Sequence, residues 1–329
     1  LRTLSVTRLQ AIIFGAFVQA APDRLPASPA SGGPIMNVNA IDNLTGRRVV
    51  ASIDPITGGS GGMPWGDGTE GSGANSAFLK NTPVEINEAE VPIRILRYGL
   101  AADSGGPGKF RGGMATALHF RAGAPNTRVT ARNRDRTRFT SWGVLGGRSG
   151  AASVFLLNPG APTEVNLGNT DILSIDPGDE ILVISGGAGG WGDPLTRDAG
   201  AVLLDVRRGF VSTVAARRDY GVIIAGGGLD EAATAKLRAA RAAEGYDGFF
   251  DYGSGRIEFE HLWTEANYAA LTELLQELPV HWRFFVKHRV FEAMEALAEN
   301  ERNGDGGEVR AIFADVITRY PQLGLVAGN

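Results

Sequence analysis

Four arginines alternate strictly along one segment: Arg132, Arg134, Arg136 and Arg138. In an extended backbone alternate side chains share a face, so all four guanidinium groups would stand together. Like charges so placed repel. They call for an anionic counterpart, either a carboxylate-bearing partner surface or an anionic ligand. A solvated loop that relieves the repulsion is the alternative. Glu85 follows the rigid Thr82-Pro83 pair and is the candidate carboxylate for acid/base work in a cleft. Its neighbour Glu88 would fall on the opposite face of a strand, so the two make no obvious pair. A hydrogen-bonded structural carboxylate is the competing reading of Glu85.

Phosphate and metal chemistry find little support. Gly108-Lys109 is followed by Phe110 where a Walker loop needs Ser or Thr, and Asp103 sits where its first glycine belongs. Gly187-Ala188-Gly189-Gly190-Trp191-Gly192 matches G-x-G-x-x-G after a predicted strand. Asp193-Pro194 follows, however, and delays the helix whose N-terminus should meet a pyrophosphate. A tight glycine turn is the better reading. The four histidines, His119, His261, His281 and His288, show no metal-ligand spacing. Gly58-Gly59-Ser60-Gly61-Gly62 has the letters of a nucleophile elbow but no strand–turn–helix context.

These residues must be positioned by a chain of 329 residues, 43% hydrophobic and 21% charged, with a net charge of −4. That charge gives no reason to expect nucleic acid or an anionic membrane as partner. With no cysteine, disulfides, thiolate metal sites and thiol nucleophiles are excluded, and a cytoplasmic location is expected. The 46 glycines are clustered, not periodic, which argues against collagen and simple linkers.

Apolar residues at Val6, Leu9, Ile12, Ile13, Ala16 and Phe17 predict a packed helix, too short an apolar run to span a membrane. Residues 84–100 read as extended, and 114–120, 128–132, 153–157, 171–175 and 180–184 as short strands. Asp198 and Ser212 are predicted helix caps, 220–224 a strand, and Gly226-Gly227-Gly228 a hinge or linker. Beyond it, Asp230 and Thr264 cap helices, with Trp263 and Tyr268 placed as a hydrophobic staple. Two further helices follow, stopped by Asn303-Gly304 and Pro321. The expected class is α+β: a glycine-rich β-sandwich or barrel-like layer with flanking helices (1–228), then a helical extension (229–329).

Several segments together resemble the hydantoinase B/oxoprolinase family. They are Arg8–Arg24 with its Phe-Gly-Ala-Phe core, the glycines at 58–62, and Asn81-Thr82-Pro83-Val84-Glu85. Further on come Asp103 to Gly113, Trp142-Gly143, Gly186 to Pro194, and Arg218-Asp219-Tyr220-Gly221-Val222. The resemblance covers roughly residues 1–235 and only the C-terminal part of a typical B-type subunit. It implies an ATP-dependent hydrolase of cyclic amides, with Gly58, Gly59, Ser60, Asn81 and Asp193 as candidate substrate contacts. ATP and a divalent metal are implied as cofactors, held by a hydantoinase A-type ATPase partner or by the N-terminal half of the B-type subunit. This chain alone is then expected to be inactive. The tail is similar to that of acetophenone-carboxylase-type members, which makes an ATP-dependent ketone carboxylase the second expectation. A scaffold docking partners through its tail is the third.

Overall fold

The computed structural model describes residues 2–53, 56–71, 81–132, 135–242 and 248–323, in two compact units, Leu1–Gly253 and Ser254–Asn329. The strands of the first unit begin with β1 (Ile35–Ile41), β2 (Arg48–Ile53), β3 (Ile93–Leu100), β4 (Thr116–Ala122), β5 (Thr127–Arg132), β6 (Gly143–Val144), β7 (Val154–Leu157), β8 (Val165–Asn166), β9 (Ile172–Ile175) and β10 (Glu180–Ile184). Strict alternation makes β1 half-buried, with Met36, Val38 and Ala40 inward. It lies between β2 and β5 in a sheet ordered β2-β1-β5-β9. The second sheet is ordered β3-β4-β10-β7-β8. Both are antiparallel throughout. Met36, Val38, Ile53 and Val129 of one sheet share a single core with Leu118, Phe120, Phe155 and Val183 of the other. The sheets form an open sandwich, not a barrel.

Four helices flank it in chain order: α1 (Arg2–Val18), α2 (Val84–Glu90), α3 (Ala199–Arg207) and α4 (Thr213–Tyr220). Asp198 and Ser212 cap α3 and α4 as expected, accepting from Ala201 and Ala215 N–H. Three local expectations need correction. Residues 84–90 are helical because Glu85, Glu88, Ala89 and Glu90 favour helix, and strand alternation starts only at Ile93. The strand expected at 220–224 is displaced by α4, which runs to Tyr220 and stops at Gly221 with φ 63°. Gly226-Gly227-Gly228 is no linker: Gly226 and Gly227, at φ 56° and 79°, turn a hairpin between β11 (Ile224–Ala225) and β12 (Gly228–Leu229). The unit continues through α5 (Glu231–Arg241), capped by Asp230, and β13 (Phe250–Asp251), which pairs with β6.

Helix α1 forms where expected but turns the other way. Ala11 and Val18 are buried, Gly15 packs on Trp142, and the predicted stripe faces outward.

The second unit holds α6 (Ser254–Leu262), α7 (Glu265–Gln276), α8 (Val280–Ala296) and α9 (Gly307–Arg319). Leu271, Val286, Val290, Met294, Val309 and Val316 form its core. Thr264 caps α7, and the expected staple is in place, with the Trp263 and Tyr268 rings 5.4 Å apart.

Candidate functional site

The glycines explain what positions the site. Segments 27–31, 58–62, 104–113, 141–151 and 185–192 run side by side, bonded backbone to backbone. Gly62 N–H donates to Gly189 O (2.9 Å), Gly106 N–H to Ala188 O (2.7 Å), and Gly190 N–H to Arg148 O (2.9 Å). Gly113 N–H donates to Ser60 O at 2.9 Å. A Cβ on Gly58, Gly59, Gly106, Gly112, Gly187 or Gly189 would collide with a neighbouring main chain. Side-chain-free residues are the only ones that allow such close approach. The runs are therefore neither cleft walls nor turns but the interior of a backbone-packed layer.

This layer removes most of the predicted contacts from solvent. Gly58 and Gly59 are buried, and the buried Ser60 Oγ accepts from Thr69 N–H at 2.7 Å. Asp193 caps the short turn Pro194–Thr196 through Leu195 N–H. Asn81 and Glu85 are exposed, Glu85 on α2, and neither lines a described cleft. Glu88 accepts from Ile95 N–H at 2.7 Å.

The arginines do not share a face. β5 ends at the exposed Arg132, and Arg134 lies outside the described residues. Arg136 sits at φ 58°, which breaks any extended run. Its guanidinium is buried and donates to Thr140 O (2.7 Å), Ser28 Oγ (3.0 Å), Ala30 O and Pro29 O. Burial, with Arg8 nearby, pulls its pKa down to about 9, still protonated at neutral pH. Burial also pushes Asp135 upward, against the charges of Arg8, its ion-pair partner, and Arg136. Arg138 is exposed, its guanidinium 5.7 Å from the Phe139 ring centroid.

A different constellation stands at the edge of the layer. Asp67 and Glu70 follow the glycines at 58–62, Arg111 lies within the next glycine segment, Arg197 follows the last, and Asp205 comes from α3. Arg197 donates to Asp67 Oδ1 and Oδ2 (2.5 and 2.7 Å) and to Asp205 Oδ2 (2.8 Å). Arg111 pairs with Glu70 at 2.6 Å, stands 3.6 Å from Asp205, and lies over the Phe210 ring. Its N–H donates to Asp67 Oδ1 at 2.7 Å. Arg238 ties α5 to the group by donating to Arg197 O and Tyr220 O. Burial opposes the charges of Asp67, Arg197 and Arg111, but mutual pairing outweighs it. Asp67 is held below its ordinary range and both arginines above theirs. Burial pushes the Tyr220 phenol up and keeps it neutral.

Above this network opens a cleft of about 460 Å³ lined by Gly66, Asp67, Lys109, Phe110, Thr196, Arg197, Asp198 and Ala201. Its volume suits a small molecule. It offers the Lys109 ammonium, 5.5 Å from the Phe110 ring centroid, beside the Asp67 and Asp198 carboxylates. Asp67 is committed to Arg197, and Asp198 accepts from Ala201 N–H at 2.8 Å. Such a cleft can orient a small polar molecule. The sequence signal for it was thin: Lys109 stands out only as a failed Walker lysine and Asp67 only as a turn residue.

The described residues do not fit the implied cofactors. The glycine N–H groups that would cradle a phosphate are spent on neighbouring carbonyls. Among the described residues no group of three or more His, Asp or Glu could hold a metal. Among the same residues no helix is long and apolar enough to cross a membrane.

Comparison with known proteins identifies the family. The family model "Hydantoinase B/oxoprolinase" matches residues 1–194, more than half of the chain. The caprolactamase subunit beta of Pseudomonas jessenii is 36% identical over 242 residues, 68% of this chain and 40% of that subunit. The crystal structure of the ATP-dependent caprolactamase from Pseudomonas jessenii superposes with TM-score 0.55 at 31% identity, over 68% of this chain and 40% of that one. A nucleotide-free acetone carboxylase structure shares the fold, with TM-score 0.58 at 18% identity, over 94% of this chain and 42% of that one. The chain thus spans about 40% of the length of the caprolactamase subunit it matches.

Proposed function

The chain belongs to the hydantoinase B/oxoprolinase family, and from that premise we propose that it is the C-terminal portion of the B-type subunit of an ATP-dependent cyclic amide hydrolase. It works in a complex with an A-type ATPase subunit and the remaining B-type polypeptide. The observation that carries this reading is the 36% identity to the caprolactamase subunit beta over 242 residues. That stretch is long enough to take in glycine segments and the charged network together.

Within such an enzyme the backbone-packed layer serves as a rigid floor. The Arg111–Glu70 and Arg197–Asp67–Asp205 pairs lock loop, layer and α3 to one another. The cleft above receives the small cyclic amide. Lys109 offers its cation to the carbonyl oxygen, and Asp198 an acceptor to the ring N–H. Nucleotide and metal are held by the partner polypeptides, so no chemical step is assigned to this chain alone.

Co-expression with A-type and remaining B-type chains, followed by assay of ATP hydrolysis with caprolactam, hydantoins and 5-oxoproline, tests the proposal. ATP-dependent ring opening by the complex, and none by this chain, is the expected result. ATP use that requires bicarbonate and a ketone would establish the carboxylase reading instead. Acetone carboxylase adds only a likeness of fold to that alternative. A complex that consumes no ATP with any substrate would leave the scaffold reading.

A further inference from the structure

Helix α1 has two contrasting faces. One packs on its own unit through small or polar residues: Thr7 donates to Ser31 O at 2.8 Å, Arg8 pairs with Asp135, and Ala11 and Val18 are buried. The opposite face carries the large side chains. Val6, Leu9, Ile12, Ile13 and Phe17 are 60%, 58%, 67%, 43% and 62% exposed. Residues 6, 9, 13 and 17 recur at intervals of three and four and form one continuous seam, with Ile12 and Ala16 beside it. No charged residue interrupts it between Leu9 and Ala21.

Left in water, each large aliphatic side chain forgoes about 1.5–3 kcal/mol of burial. Contiguous apolar patches of this kind mark contact surfaces. The stripe whose spacing predicts a packed helix is left uncovered by the described residues.

We infer that the Val6–Leu9–Ile13–Phe17 seam is the surface on which the remaining portion of the B-type subunit packs, through an apolar face of its own. The occupant follows from length. The match occupies 40% of the caprolactamase subunit beta, so more than half of that relative lies outside it and needs a seat. This inference rests on the B-type reading proposed above.

The test uses the full chain and its own remaining B-type portion, produced as separate polypeptides, with titration calorimetry for Kd and light scattering for self-association. Leu9→Glu with Ile13→Glu is expected to weaken binding by about 100-fold or more, because two large side chains lose their burial. The melting temperature of the chain alone should stay unchanged, since both positions are exposed. Leu44→Glu, at a site 96% exposed outside α1, should leave Kd unchanged. Three results would overturn the inference. The wild-type chain does not bind the B-type portion; the double variant binds as wild type does; or the variant abolishes a wild-type dimer while binding persists, which would make a second copy the occupant. A complex that forms through the seam yet hydrolyses no cyclic amide would sink the functional proposal and leave the docking surface standing.

Discussion

Arg197 and Asp67 lie 130 positions apart and meet through two parallel hydrogen bonds, 2.5 and 2.7 Å long. Arg197 also holds Asp205, which stands 3.6 Å from Arg111, so one guanidinium links the loop after the first glycine run to α3 and to the second run. Arg197, Arg111 and Asp205 are nearly shielded from water, so their charges depend on one another.

Removing one partner of a buried pair strands the rest. Arg197→Met should destabilise the first unit by about 3–5 kcal/mol, seen as a lower denaturation midpoint. Asp67→Asn should cost less, because Asp67 keeps 35% of its side-chain surface exposed. Equal losses would show that the buried Asp205 pair adds nothing beyond the Arg197–Asp67 pair.

The Asp67 carboxyl is held below its ordinary value of 3.8 in the folded chain. Its stabilising contribution is therefore complete above that value and fades as the pH falls through the depressed one. Thermal melts below pH 4 should show a shallower acid-induced loss for Asp67→Asn than for wild type. Parallel curves would remove Asp67 from the acid transition.

The backbone-packed layer predicts a sharp contrast between glycines. Gly189→Ala would drive a methyl group into the Trp142 carbonyl and should cost about 3 kcal/mol or more, or prevent folding. At Gly99 in β3 a Cβ meets nothing within 4 Å. Gly99→Ala should thus change stability by about 1 kcal/mol at most. Soluble expression and urea melts compare the two.

Arg136 is a buried clasp on carbonyl oxygens, not an exposed anion contact. Arg136→Lys keeps the charge but loses the planar set of donors to Ala30, Pro29, Ser28 and Thr140. It should lower stability by about 2 kcal/mol. Arg138→Ala, at an exposed site, should stay within about 0.5 kcal/mol. A loss at Arg138 as large as that at Arg136 would revive the shared anion-binding face.

Local chemistry made much of the fold legible. Asp198, Ser212, Asp230 and Thr264 cap helices through side-chain oxygens that accept from an N–H three residues ahead, a rule contained within one turn. Alternation marked 128–132 and 180–184 as strands, observed at Thr127–Arg132 and Glu180–Ile184, because a half-buried sheet imposes a period of two. The family could also be read from ordered glycine segments, since their spacing is a property of the chain. What a glycine is for could not be read that way. Gly187 and Gly189 serve main chains about 40 or more residues away, which only the packed layer brings near.

The residues of the chain thus determined its helix starts, its strand periods and its family. Those are set by neighbours along the chain and by order within it. The tertiary structure alone decided that Arg136 is buried, that Asp67 and Arg197 close on each other, and that the apolar stripe of α1 faces away from its own core. Burial and pairing depend on which distant segments meet, which no stretch of neighbouring residues specifies.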